Sequence, residues 1–171
     1  MLTTLHFNVG SNIEQKKKQS FNNKHYEQYF AMKKLLFSNV YLSSFKANIG
    51  IAILRIYTGV SMAFGHGINK IPPSGKFAEN VASMGFPAPN FFSWAAGISE
   101  FGGGLLIALG LMTRPASFFL GVTMFVAAFI RHGTSPFMQK EKALLFLFIT
   151  ILLILVGAGK YSIDRMIHRA P

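Results

Sequence analysis

The chain has 171 residues, of which 51% are hydrophobic, 14% aromatic and only 13% charged, with a formal net charge of +11 at pH 7. Soluble domains carry roughly 25% charged residues, so this composition favours a membrane protein. The chain contains no cysteine, which excludes disulfides, thiolate metal sites, iron–sulfur ligation and thiol redox chemistry by its own residues.

Residues 1–46 are predicted to form a polar, basic N-terminal tail that is disordered to about residue 31. Gln, Asn, Lys and Ser are abundant there, and no apolar periodicity is sustained. Met32 opens the run Met-Lys-Lys-Leu-Leu, which resembles a bacterial initiation region. Translation from Met32 is therefore an alternative to translation from Met1.

Four apolar segments follow, at about residues 48–67, 91–112, 115–131 and 143–159. Each is close to the roughly 20 residues that cross about 30 Å of hydrocarbon as a helix. Short connections, such as the turn from Met112 to Pro115, favour antiparallel neighbours. The sequence therefore predicts an all-α integral membrane protein, an antiparallel four-helix bundle over residues 47–160 with a basic C-terminal tail at 161–171.

The long connection between the first two spans is predicted to contain a short amphipathic helix. Ser74 can cap this helix and Gly85 can end it, and Phe77, Val81 and Met84 recur between them at helical spacing. We expect the helix to lie along the membrane interface. It is either an ordinary loop helix or a lid over a substrate.

Basic residues flank the spans rather than forming one patch, so we interpret the positive charge as a sign of topology and predict no nucleic-acid binding. Lysine and arginine are more frequent before the first span and after the last than in the loops on the opposite side. This bias predicts cytoplasmic N- and C-termini in a multi-pass protein of the bacterial inner (plasma) membrane.

Two charged residues lie inside apolar spans, Arg55 in the first and Glu100 in the second. An ionisable side chain at bilayer depth costs at least about 2.5 kcal/mol, so it usually finds a partner and marks a functional site. Antiparallel helices would place the two at depths that an arginine side chain can bridge, which predicts an ion pair. The pair is either structural and fixes helix register, or part of a site in which Glu100 relays protons beside a quinone-like ligand.

The first span ends with His66 and Lys70 one helical turn apart, and His132 is expected on the same side of the membrane. Two histidines raise the question of a bis-histidine haem. No second histidine pair exists and His132 falls at the water boundary, so we favour headgroup contact, with a proton relay as the alternative, and predict no metal site. Four aromatic residues are candidates for contact with a flat ring: Phe64, Phe92, Trp94 and Phe101.

Several short motifs follow one another between about Ile51 and Asp164. They are Leu54 and Arg55, Gly59, Phe64, His66 and Gly67, Lys70, Met84 to Pro87, Glu100 to Gly104, Leu109 to Leu111, Thr113 to Ala116, Met124, Ala127, Glu141 to Leu144, and Gly157 to Asp164. In their order and spacing the chain resembles the DoxX family of small four-helix membrane proteins. The polar positions that match this family are Arg55, His66, Lys70 and Glu100.

The resemblance implies a redox setting, because the family takes its name from a subunit of an archaeal thiosulfate to quinone oxidoreductase. It implies an accessory or quinone-interacting subunit of a membrane redox system, with possible quinone binding by Arg55, His66, Lys70 and Glu100, partner subunits or a homo-oligomer, and no cofactor in the chain itself. The alternative from a different class is a non-catalytic membrane scaffold or small-molecule carrier, in which Arg55 and Glu100 form a structural ion pair.

Overall fold

The computed structural model describes residues 23, 26–28, 32 and 44–169 of the chain. The chain divides into two units, residues 1–35 and 36–171. The described residues of the first unit are helical. The prediction of a disordered N-terminal tail falls mainly on residues outside the described ranges.

In the described part of the second unit, all regular secondary structure is helical. Its α-helices are α1 Phe45–Met62, α2 Gly75–Ser83, α3 Pro89–Leu109, α4 Thr113–Phe125, α5 Phe137–Val156 and α6 Ile163–Arg169. A π-helical segment, Ala63–Gly67, and a 3₁₀ turn, Ile68–Lys70, prolong α1, and a second π-helical segment, Val126–Arg131, prolongs α4. The described residues contain no strand, which confirms the all-α prediction for this part of the chain.

Three of these helical stretches are long and apolar enough to cross a membrane: Phe45–Lys70, Pro89–Leu109 and Thr113–Arg131. They match the first three predicted spans to within a few residues at each end. Their outer faces carry large exposed side chains, such as Phe118 and Phe119 on α4. Exposed apolar faces of this kind suit contact with lipid rather than water.

Helix α5 differs from α1, α3 and α4 because its first two turns carry three charged residues. Lys140, Glu141 and Lys142 lie near its start, so its uncharged part runs over 143–156. Helices rise about 1.5 Å per residue, and this part alone is too short to cross about 30 Å of hydrocarbon. The structure therefore gives three candidate spans, and the fourth span of the predicted bundle is not established by length and composition.

The predicted amphipathic helix is present as α2. Ser74 caps it, with its hydroxyl oxygen accepting a hydrogen bond from the Phe77 amide at 3.3 Å. The helix ends before Gly85, whose φ of +83° lies in the left-handed region that glycine adopts without strain. Val81, on its apolar side, is 4% exposed. The turn chemistry read from the sequence thus sets both ends of this helix.

Helices α1 and α3 pack with their backbones in contact, and glycine makes this approach possible. A side chain on Gly104 would place its first carbon 2.8 Å from the amide nitrogen of Ala63, which no rearrangement of side chains relieves. A side chain on Gly67 would overlap the backbone of Phe101 in the same way. Small residues have this role in helix pairs within membranes. The register of α1 against α3 is therefore fixed at two points.

The apolar core lies between α1, α3, α4 and α5. Its buried members are Met62, Ile107, Ala116, Leu120, Met124 and Leu153. Helix α3 packs against both α1 and α4, and α4 packs against α5. This order leaves polar residues of α3 and α4 facing α2 at one end of the second unit.

Candidate functional site

Glu100 is buried and bound to Lys70, at the end of the 3₁₀ turn that follows α1. The lysine Nζ donates hydrogen bonds to both carboxylate oxygens, at 2.6 Å and 2.7 Å. The Glu100 side chain is 2% exposed, whereas that of Lys70 is 31% exposed. The ammonium group therefore connects a buried carboxylate to a more open region of the protein.

A cavity of about 440 Å³ lies beside this pair. Its walls are mainly apolar and aromatic, with a few polar groups from α2, α3 and the end of α4. Its lining includes Lys70, Phe77, Phe92, Ser99, Glu100, Phe119, Thr123, Arg131 and His132. A largely apolar cavity of this volume with a few convergent polar groups is typical of a small-molecule site.

Helix α2 forms one wall of the cavity. Phe77, Asn80, Val81 and Met84, which share one face of this helix, all line it. The Lys70 ammonium also lies 5.4 Å from the centre of the Phe77 ring, within the range of a cation–π contact. The amphipathic helix thus covers the ion pair, which is the position expected of a lid.

Two hydroxyl groups on facing helices lie in the same cavity. Thr123 of α4 donates a hydrogen bond to the Ser99 hydroxyl of α3 at 3.2 Å. Ser99 precedes Glu100 in the sequence, so α3 presents two neighbouring polar side chains to one space. Sequence reasoning missed both hydroxyls, because an isolated serine or threonine in an apolar helix is common and carries no spacing signal.

Arg55 lies elsewhere, and the predicted ion pair between Arg55 and Glu100 is wrong. The Arg55 side chain is buried, and its Nη1 donates to the carbonyl oxygens of Ile107 at 2.7 Å and Ala108 at 2.6 Å. Its Nη2 donates to the carbonyl of Tyr161 at 2.8 Å. Ile107 and Ala108 lie in the last turn of α3, where carbonyl groups lack the full set of partners found inside a helix. A cation at a helix C-terminus is also favoured by the helix dipole.

The glycine contacts explain why Arg55 and Glu100 do not meet. Gly59 lies against Gly104 and Ala108, whereas Gly67 lies against Glu100 and Phe101. Arg55 precedes the first of these contacts and is therefore level with the end of α3. Glu100 is level with the other end of α1. The prediction counted the depth of each residue from the end of its own span, and that count does not include the offset between α1 and α3.

Asp164 completes the structure around Arg55 and was not singled out as a site residue from the sequence. Its carboxylate, 2% exposed, accepts hydrogen bonds from the Met112 amide at 2.7 Å and the Thr113 amide at 2.9 Å. These amides begin α4, so Asp164 caps that helix from more than 50 residues away in sequence. Its own amide donates to the Gly110 carbonyl at 2.8 Å.

The two histidines considered for haem lie in different surroundings. The exposed His66 ring meets Phe146 of α5 edge-on, with ring centres 5.9 Å apart. His132 is half-buried and lines the cavity. His66 and Lys70 therefore have different partners, since His66 packs on Phe146 whereas Lys70 binds Glu100.

Of the four proposed ligand-binding residues, Lys70 and Glu100 line the cavity, while Arg55 and His66 do not. Phe92 is the one aromatic candidate that lines it. Phe64 and Phe101 meet edge to face with ring centres 6.2 Å apart, and Trp94 is exposed. Among the described residues, no group of three His, Cys, Asp or Glu side chains is placed to hold a metal ion.

Comparison with known proteins agrees with this membrane fold and its motifs. The DoxX family model matches residues 50–133. The chain is 30% identical over 128 residues to "Inner membrane protein YqjF" of Escherichia coli (strain K12), covering 71% of this chain and 95% of that relative. It is 29% identical over 122 residues to "Putative oxidoreductase CatD" of Bacillus subtilis (strain 168), covering 71% of this chain and 89% of that relative. No solved structure matches the chain.

The helical structure with three apolar helices long enough to span a bilayer, together with these matches, defines a membrane protein. The chain belongs to the DoxX family.

Proposed function

We propose that this DoxX-family protein is an accessory subunit of a membrane redox system and that the cavity beside Lys70 and Glu100 binds a quinone. The observation that carries the proposal is a buried carboxylate joined to a lysine ammonium at the edge of a largely apolar cavity. One relative carries the name "Putative oxidoreductase CatD", which favours a redox function over the binding of a ligand without redox chemistry.

The residues of the cavity fit a quinone ring. Such a ring is flat and apolar and carries carbonyl oxygens, and Phe77, Phe92 and Phe119 offer aromatic contacts for its faces and edges. The Lys70 ammonium can donate a hydrogen bond to a carbonyl oxygen, since Nζ carries three protons and Glu100 accepts two of them. A bound quinone takes up two electrons and two protons in becoming a hydroquinone.

The role of Glu100 is to hold and transfer protons at the edge of the cavity. Its carboxylate is buried, and a positioned carboxylate can accept or release a proton next to a reacting oxygen. Lys70 holds the Glu100 carboxylate beside the cavity through two short hydrogen bonds. We assign the electron supply to a partner subunit, because this chain has no cysteine and therefore no thiol redox chemistry of its own.

The test is quinone binding by purified protein in lipid nanodiscs, measured by titration calorimetry with empty nanodiscs as the reference. We expect Lys70→Gln and Glu100→Gln to weaken binding by about tenfold or more, the scale of one charge-assisted hydrogen bond. Lys76→Gln and Glu79→Gln are matched controls, since both residues are exposed and neither lines the cavity. Unchanged affinity in both cavity variants would contradict the proposal.

A non-catalytic scaffold or carrier is the second candidate function, and the structural use of Arg55 favours it. Arg55 and Asp164 are both bound to backbone groups at helix ends and do not line the cavity, so two of the three buried charged side chains among the described residues serve the fold. A carrier needs binding without proton transfer. Glu100→Gln distinguishes the two functions at quinone concentrations where the variant is still saturated. Growth that depends on the redox system is then retained if the protein is a carrier. It is lost if the protein is a redox subunit.

We also propose that α5 crosses the membrane as a fourth span, which places the protein in a bacterial inner membrane with both termini in the cytoplasm. The Lys160 amide donates to the Asn48 side chain at 3.2 Å, so the segment after α5 returns to the start of α1. The aliphatic stems of Lys140 and Lys142 allow their ammonium groups to reach the headgroups from the first two turns of α5. Partner subunits or further copies of the chain then contact the exposed apolar faces.

Reporter fusions test this topology. A reporter placed after residue 171 and another placed in the turn at 133–135 are expected to report opposite sides of the membrane, with the C-terminal reporter cytoplasmic. Two reporters on the same side would mean that α5 does not cross.

A further inference from the structure

The charges around the cavity do not balance. Lys70 and Glu100 neutralise each other through two short hydrogen bonds, and the remaining charged or titratable lining residues are Arg131 and His132. Among the residues that the structure describes, Glu100 is the one acidic residue that lines the cavity. The cavity therefore presents a net positive charge beyond the ion pair.

Arg131 and His132 come from the same place in the fold. The π-helical segment Val126–Arg131 ends α4 there, and His132 follows it directly. Val126 and Ala127, at the start of this segment, line the cavity as well. The cationic groups thus lie at one end of the wall formed by α4, and Phe119, Val122 and Thr123 form the rest of that wall.

From this arrangement we infer that the ligand of the cavity carries an acidic group, with its apolar ring beside Phe92 and Phe119 and its negative charge at Arg131 and His132. The inference rests on the proposed function, because it specifies the ligand class of the same site. Arg131 is exposed and His132 is half-buried, and both line the cavity. An arginine guanidinium gives strong, directional hydrogen bonds to an oxygen anion. The ligand class is a quinone whose ring bears an ionised hydroxyl or carboxyl group.

Two ligands that differ by one charge test this inference. A 2-hydroxy-3-alkyl-1,4-naphthoquinone is a vinylogous acid and is anionic at neutral pH, whereas the 2-methyl compound with the same alkyl chain is neutral. We expect the wild-type protein in phosphatidylcholine nanodiscs to bind the anionic compound about tenfold more tightly, the scale of one charge-assisted hydrogen bond. Equal affinity for the two compounds would overturn the inference.

Arg131→Gln is expected to remove most of this preference and to change the affinity for the neutral compound much less. Arg131→Lys, which keeps the charge, is expected to retain part of the preference. Lys142→Gln is the matched control, because it removes one exposed positive charge from the start of α5 without touching the cavity. If Lys142→Gln reduces the preference as much as Arg131→Gln does, a general surface potential explains it and the inference is wrong.

Arg131 could instead contact the headgroups of bulk anionic lipid, and a change of lipid separates the two uses. In nanodiscs with one quarter phosphatidylglycerol, we expect the preference for the anionic compound to persist, since a headgroup at Arg131 lacks the ring contacts with Phe92 and Phe119 that the compound makes. Loss of the preference there would assign Arg131 to lipid and overturn the inference. Failure of the proposed function looks different, because then neither compound binds.

Discussion

At one end of the α1–α3 pair, the terminal nitrogens of Arg55 are bound to three backbone carbonyls, whereas at the other end the Glu100 carboxylate is held by a lysine that is 31% exposed. Both charges are buried, yet their partners differ in kind. Backbone carbonyls at a helix end cannot move away, while a lysine side chain can turn towards water. The first arrangement suits a fixed structural contact, and the second suits a site where a ligand or a proton changes the pairing.

Removal of the Arg55 side chain should produce the largest effect. Arg55→Leu removes the guanidinium hydrogen bonds to the carbonyls of Ile107, Ala108 and Tyr161 in a buried region, and we expect a loss of about 3–5 kcal/mol in the free energy of unfolding. Thermal denaturation in detergent, followed by size-exclusion chromatography, measures it. Arg114→Leu is the control, since Arg114 makes one longer bond, 3.2 Å to the Leu155 carbonyl.

A stable Arg55→Leu protein that had lost quinone binding would place Arg55 in the ligand site after all. That result would break the contrast between the two ends of the helix pair.

Loss of the Asp164 cap should have an intermediate effect. Asp164→Ala removes the acceptor for two amides at the start of α4, and helix caps contribute about 0.5–2 kcal/mol each. We expect Asp164→Asn to recover part of that stability, because an amide oxygen still accepts a hydrogen bond. The apparent melting temperature reports both changes, with Glu141→Gln, at an exposed position near the start of α5, as the control.

Equal stability of Asp164→Ala and wild type would mean that the segment after α5 does not support α4. The ligand-binding assays should remain unchanged in either Asp164 variant, which sharpens the difference between the two ends.

Neutralisation of Glu100 should have the smallest effect on stability. In Glu100→Gln the lysine can turn towards the solvent-exposed side, so we expect a change of less than about 1 kcal/mol, as for a partly exposed ion pair. The same variant is expected to lose ligand affinity. If the melting temperature of Glu100→Gln falls as far as that of Arg55→Leu, Glu100 is structural. The two ends of the α1–α3 pair then do not differ in role.

Local features of the fold could be predicted from the sequence, while contacts that depend on register could not. The apolar runs located α1, α3 and α4, and Ser74 with Gly85 located α2, because hydrophobic content and cap chemistry are local. The partner of Arg55 could not be found by counting from span ends. It depends on Gly59 and Gly104, which set how far α1 extends past α3.

The candidate site was predicted in part for the same reason. Glu100 and Lys70 stood out as charges in or next to apolar spans, and both line the cavity. His66 does not line the cavity. It lies in a π-helical segment, Ala63–Gly67, which the sequence does not predict. The positions of Ser99 and Thr123 depend on the packing of α3 against α4, which is a tertiary property.

The long sequence separations around Arg55 have a consequence for the order in which the chain is made. Its carbonyl partner at Ile107 lies 52 residues later in sequence and its partner at Tyr161 lies 106 residues later. While the ribosome synthesises the intervening chain, the guanidinium has none of these acceptors, and an unpaired arginine at bilayer depth is costly. The guanidinium of the first helix can therefore be paired only after the second apolar helix has been made, and its contact with Tyr161 forms only after α5 has been made.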